Sequence, residues 1–65
     1  MHDTKSYLRR LQLKQLELLL REFCQGKSDM SMYAALDICA VLAENDPEKP
    51  DVTEAFRRFC ATYLP

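Results

Sequence analysis

The chain has 65 residues, of which 48% are apolar and 29% are charged, and its formal net charge is -1. This apolar fraction excludes an intrinsically disordered tail, and only three cysteines exclude a small domain built around several disulfides. Charged residues interrupt every apolar run before it reaches the ~18 residues of a membrane span, and the N-terminus has no signal-peptide core. We expect a single small domain over residues 1–65.

Two breaks divide the chain. The first contains Gly26, the only glycine, and the second, residues 45–51, contains Pro47 and Pro50. No run alternates apolar and polar residues as a half-buried strand would. The sequence therefore predicts an all-α, three-helix domain, with helices over about 4–24, 29–44 and 52–64.

The first predicted helix, capped by Asp3 or Thr4, carries apolar residues on two different sides. One side has the helical stripe formed by Leu13, Leu16, Leu20 and Phe23. The second side has Tyr7, Leu8, Leu11 and Leu18.

Two short neighbouring helices cannot cover both of these sides. We therefore predict that the second side contacts another chain, either a second copy in a helical-bundle homodimer or a different protein. The alternative is that Tyr7 and Leu8 are exposed at a fraying helix end.

The second predicted helix, capped by Ser28 or Asp29, has Asp37 as its only charged residue between positions 30 and 43. Small residues along it permit close helix approach, so we expect this helix to be the innermost of the three. These small residues are Ala34, Ala35, Cys39, Ala40 and Ala43.

The third predicted helix begins after Asp51, which has capping-box spacing to Glu54. Its polar residues lie outside a single apolar stripe, so it is typical of a helix that buries one face. The stripe consists of Val52, Ala55, Phe56, Phe59 and Tyr63.

Residues suited to catalysis are scarce. His2 is the only histidine, so any Ser/His/Asp or Cys/His arrangement would depend on a residue at the chain terminus. No glycine-rich phosphate loop is present. We expect no catalytic residue, no cofactor and no metal ion.

The three cysteines, Cys24, Cys39 and Cys60, include no Cys-x-x-Cys pair. Each lies on or beside an apolar stripe, so we interpret all three as buried free thiols that behave as small apolar side chains. Free thiols fit a cytoplasmic location. A three-cysteine metal site and an intermolecular disulfide are the alternatives.

Arg10, Lys14 and Arg21 form a strip on the first predicted helix, with Glu17 between them, and are candidate phosphate contacts. A small dimeric regulator that binds RNA or DNA is therefore the alternative function. The 10 acidic residues outnumber the nine basic ones, which argues against general affinity for phosphate. The favoured interpretation of the strip is a solvated helix face with Glu17 between the basic residues.

Several stretches, taken in order, carry a resemblance that covers nearly the whole chain: Tyr7-Leu8, residues 16–21, residues 38–47, and residues 50–65 with the Ala55-Phe56 pair. Together they resemble the N-terminal cytoplasmic segment of single-span, anti-sigma-like membrane proteins of Firmicutes, especially gut Clostridia.

The resemblance implies a cytoplasmic domain that binds a protein partner, such as a sigma factor, by helix-in-groove packing. In such proteins a basic stretch and a transmembrane helix usually follow, so the chain is interpreted as an excised domain or as a free-standing relative. The His-x-x-x-Cys-x-x-Cys pattern of zinc-binding anti-sigma domains is absent. Partner binding would therefore depend on apolar helix faces.

Overall fold

A computed structural model describes residues 4–64, and this part of the chain is all-helical, as predicted. It contains four helices rather than three: α1 Thr4–Arg9, α2 Leu13–Cys24, α3 Met32–Glu44 and α4 Val52–Tyr63. The predicted first helix is thus wrong as a single element. His2, Asp3 and Pro65 lie outside the described residues.

The break between α1 and α2 occurs without a proline or glycine. At the end of α1 the Arg10 and Leu11 backbone N–H groups donate to the carbonyls three residues earlier, both at 3.1 Å. Gln12 then takes an extended conformation before α2 begins. This change of direction lets Leu11 pack against the same core as Leu16, although the two would lie on different sides of one straight helix.

The end of α2 is a Schellman motif. Gly26 has a φ of 71°, and its backbone N–H donates to the Phe23 carbonyl at 3.1 Å. The Lys27 N–H donates to the Glu22 carbonyl at 2.8 Å. The predicted helix end at Gly26 is therefore confirmed, because glycine adopts this left-handed conformation without steric cost.

The α3 helix begins at Met32, three residues later than predicted, because Ser31 and not Ser28 or Asp29 is its cap. The Ser31 Oγ accepts from the Ala34 backbone N–H at 3.2 Å. Ser28 instead accepts from the Met30 N–H at 3.1 Å within the preceding loop.

Of the four helices, α3 contributes the most buried residues, which confirms the prediction that the second apolar segment is the innermost. It packs against α1, α2 and α4. Its buried residues are Ala35, Ile38, Cys39, Ala40, Val41 and Ala43.

The α4 helix begins as predicted, with the Asp51 carboxylate accepting from the Glu54 backbone N–H at 2.7 Å. Its apolar stripe packs against the core but stays half-buried. Phe56 meets Phe23 of α2 edge to face, with ring centroids 6.1 Å apart.

Two of the three cysteines form a disulfide, which corrects the prediction of three free thiols. Cys24, the last residue of α2, is bonded to Cys60 of α4, and their Cα atoms lie 5.1 Å apart, an ordinary separation for a disulfide. Cys39 is free and buried, as predicted. Because the sequence places Cys24 and Cys60 on separate helices, only the packing of α2 against α4 reveals that they meet.

Within residues 4–64, each helix is too short, or too polar, to cross a membrane.

Candidate interaction surface

The structure does not keep the four predicted contact residues on one exposed face. Leu8 is only 6% exposed and belongs to the core, and Leu11 is half-buried against that core. Tyr7 and Leu18 are exposed, but on different helices, α1 and α2. For Leu8 the premise of the prediction is corrected, since the break after α1 lets the chain bury this residue within itself.

A different surface, formed by α2 and α4, brings several predicted site residues together. Leu18, Lys14 and Arg21 line one shallow groove with Glu17 and with Tyr63 of α4. Glu17 also lines a neighbouring groove, which includes Leu13 and Phe59 and is completed by Leu42 of α3 and residues 45–47. We call the walls that α2 and α4 give to these two grooves, which share Glu17, the α2–α4 surface, defined by Leu13, Lys14, Glu17, Leu18, Arg21, Phe59 and Tyr63.

Each of the two grooves of the α2–α4 surface has one large apolar side chain of α2 that is open to solvent. Leu13 is 44% exposed and Leu18 is 43% exposed. The sequence pattern places Leu13 in one apolar stripe with Leu16 and Leu20, but Leu13 is the first residue of α2 and is exposed. The exposure of Leu13 depends on where α2 begins, and the break at residues 10–12 determines that start.

An aromatic pair on α4 lines the same two grooves as these leucines. The rings of Phe59 and Tyr63 have centroids 4.9 Å apart, and the Arg21 guanidinium lies 5.7 Å from the Tyr63 ring centroid. A cation at this distance from an aromatic ring is attracted to it. The contact orients Arg21 and joins the charged part of the α2–α4 surface to its apolar part.

The three predicted phosphate contacts are all exposed, but they do not form one basic patch. Lys14 and Arg21 share a groove, and Glu17 places a carboxylate between them. Arg10 lies apart from them in the turn that follows α1. Their positive charge is thus divided and partly offset.

Other arginines are held in ion pairs. Arg9 of α1 donates from Nε and Nη2 to the two carboxylate oxygens of Glu44 in α3, at 3.1 and 2.7 Å. This paired hydrogen bonding lowers the pKa of Glu44 from its ordinary value. Arg58 bridges Glu48 and Glu54 at 2.8 and 2.7 Å, and these carboxylates raise the pKa of Arg58.

A third concavity lies between α3 and α4. It encloses about 210 Å³ and is lined mainly by apolar residues, with Cys39 at its wall and Asp46 and Arg58 among its polar groups. Burial raises the pKa of the Cys39 thiol to about 11, so this thiol stays protonated and unreactive at neutral pH.

Within residues 4–64, no three histidine, cysteine, aspartate or glutamate side chains lie close enough together to hold a metal ion. No family model matches the chain, and no curated protein or solved structure shows significant similarity to it.

Proposed function

We propose that this protein is a non-enzymatic interaction module that binds a protein partner through the α2–α4 surface. The observation that carries this proposal is the exposure of Leu18 in one groove with the Arg21–Tyr63 contact, with Leu13 exposed at the neighbouring groove. Each leucine would lose unfavourable contact with water when a partner covers it.

The composition of the α2–α4 surface supports a protein partner. Interfaces are enriched in tyrosine, phenylalanine and arginine, and their energetic centres are large side chains surrounded by polar ones. On this surface Tyr63 and Arg21 contact each other, and Lys14 and Glu17 lie at the same groove. Because the surface has both positive and negative side chains, it favours a protein partner that also has both, rather than a uniformly negative polymer such as a nucleic acid.

The resemblance to anti-sigma-like domains suggests which partner this is. In that interpretation the module is cytoplasmic, and an amphipathic helix of a sigma factor packs against the α2–α4 surface and takes part in transcription regulation. A second copy of this chain is the other candidate, since Lys14 of one copy and Glu17 of the other have opposite charges.

A pair of substitutions tests the proposal. The Leu13→Glu, Leu18→Glu variant is designed to stay helical while losing its partner, because both side chains are already exposed. Leu11 is left unchanged, since it packs against the core. The measurements are light scattering for self-association and titration with a purified sigma factor for the second partner.

The matched control is Tyr33→Ser, because Tyr33 is exposed on α3 and does not line the α2–α4 surface. We expect this control to associate like the unchanged protein. If the wild-type chain is monomeric and binds no sigma factor, or if the control loses binding as the double variant does, the proposal fails.

Nucleic-acid binding is the second candidate, favoured by the meeting of Lys14 and Arg21 in one groove. Binding through phosphates would retain the protein on heparin at about 150 mM salt. It would also weaken when Lys14 and Arg21 are both changed to glutamine. Elution below that salt concentration would remove this candidate.

A further inference from the structure

The α4 helix contributes little to the fully buried core. The buried cluster includes eight residues from α1, α2 and α3, and a single residue, Cys60, from α4. The remaining apolar residues of α4 that pack against this cluster are only partly buried. Most of the free energy gained by complete burial thus belongs to the first three helices.

Polar contacts do little more to attach α4. Within residues 4–64, the hydrogen bonds of its side chains stay inside α4 and its cap or reach Glu48 in the preceding loop. The Arg58 ion pairs are exposed, and exposed ion pairs stabilise a fold only weakly.

The disulfide is therefore the strongest contact between α4 and the rest of the fold. The disulfide joins Cys60 to the last residue of α2 and spans a sequence separation of 36 residues. The α4 helix packs against α2 and α3, but its other covalent attachment is the loop at residues 45–51, so the disulfide supplies a second covalent attachment.

We propose that the Cys24–Cys60 disulfide is a redox-sensitive latch, and that its reduction frees α4 while α1, α2 and α3 keep their packing. Regions with few buried contacts open at lower free energy than the rest of a domain. In this protein such a region is held closed by one bond that a cell can break and remake.

The reductant is a dithiol, such as dithiothreitol or a thioredoxin-class protein. One of its thiolates attacks the sulfur of Cys24 or Cys60, which breaks the protein S–S bond, releases the other cysteine as a thiolate and forms a mixed disulfide. Its second thiol, as the thiolate, then attacks the reductant sulfur of the mixed disulfide and releases the first cysteine. The protein disulfide gains two electrons and two protons, and the dithiol is oxidised to a disulfide. Both cysteines are buried, at 5% and 8% exposure, so α4 must open before the attack.

Cys39 does not compete in this exchange. Its thiol belongs to the same buried cluster as the disulfide, but burial raises its pKa to about 11. Only the thiolate attacks a disulfide, so at neutral pH Cys39 leaves the Cys24–Cys60 pairing intact. Cys39→Ala is therefore the matched control for the latch.

Hydrogen exchange of the full chain, read by mass spectrometry with and without dithiothreitol, tests the latch. Reduction should add two hydrogens to the protein and accelerate exchange in α4 about tenfold or more, with a much smaller change in α3. The Cys24→Ala, Cys60→Ala variant should show the same pattern without reductant, and Cys39→Ala should respond like the unchanged protein.

The proposal is overturned if the air-oxidised protein has three free thiols, since the latch then does not form. Equal acceleration in α3 and α4 would also overturn it, because the disulfide would then support the whole fold. No acceleration in α4 would show that half-buried packing alone holds this helix.

Discussion

The α3 and α4 helices are nearly equal in length, with 13 and 12 residues, and each begins at a side-chain cap, yet they are held in different ways. Six residues of α3 are buried, whereas Cys60 is the only buried residue of α4. The difference comes from how apolar residues are distributed around each helix. They surround most of α3 and occupy one stripe of α4.

This comparison separates two sources of stability. Burial stabilises α3 from several sides, so its position follows mainly from the hydrophobic effect. The α4 helix buries one face incompletely and depends on a covalent bond to α2 as well. The following experiments act on one source at a time.

Reducing the disulfide should have the largest effect. In the loop-entropy description, a cross-link that closes a loop of this length contributes about 4 kcal/mol, and we expect this loss in the unfolding of α4 rather than of α3. Urea unfolding of the wild-type protein, with and without dithiothreitol, measures the difference. A change below about 1 kcal/mol would mean that α4 needs no cross-link.

Shortening a buried side chain of α3 should cost nearly as much. Ile38→Ala removes a side chain from the fully buried core and should lower the free energy of unfolding by about 3 kcal/mol. The loss should be similar in oxidised and reduced protein, because α3 does not depend on the latch. Tyr33→Ala, an exposed change on the same helix, should stay within about 0.5 kcal/mol of the unchanged protein.

Phe56→Ala should have an intermediate effect and should act on α4. It removes the edge-to-face contact with Phe23 from a half-buried site, at a cost of about 1.5 kcal/mol. The same change should speed the reaction of the disulfide with dithiothreitol, because α4 opens more often. An unchanged reaction rate would contradict this expectation and show that the Phe56–Phe23 contact does not control how often α4 opens.

Alkaline pH should act on α3 through Cys39. The pKa of this thiol is about 11 in the folded protein, compared with an ordinary value of 9.0. Between pH 9 and 11 the thiol loses its proton in the unfolded chain but keeps it in the folded protein. Deprotonation therefore favours unfolding, and the free energy of unfolding, which is unaffected by this thiol below pH 9, falls as pH rises towards 11. The urea midpoint should fall more steeply over this range in the wild type than in Cys39→Ala, and parallel curves would contradict this.

Glu44→Gln should have the smallest effect, since the Arg9–Glu44 pair is exposed. Arg9 lowers the pKa of Glu44, so the pair stabilises the fold at neutral pH and ceases to do so as pH falls through that lowered pKa. Thermal unfolding at pH 7 should distinguish the variant slightly from the wild type, and the difference should vanish in acid. A difference that persists in acid would point to a role other than charge.

Local signals predicted part of this fold. Gly26 ends α2, Asp51 caps α4, and the small residues of the middle segment mark α3 as the innermost helix. Each of these features depends on residues close together in the sequence. That is why they can be read without the three-dimensional structure.

The rest depends on tertiary packing. The break at residues 10–12 has no proline or glycine to mark it, and its only sign is that Leu8 and Leu11 lie out of phase with the stripe of α2. That phase difference was interpreted as a second apolar face for a partner. The disulfide and the exposure of Leu13 likewise follow from how α2 meets α4, which the spacing of residues does not determine.

The most direct test of the difference between α3 and α4 is a pair of amide NMR spectra of the chain, one oxidised and one reduced. We predict that after reduction the α4 signals move to random-coil positions, while the α3 signals keep their folded dispersion. If the signals of both helices lose their dispersion together, or if the α4 signals stay dispersed, the claim that burial holds α3 and the disulfide holds α4 is wrong.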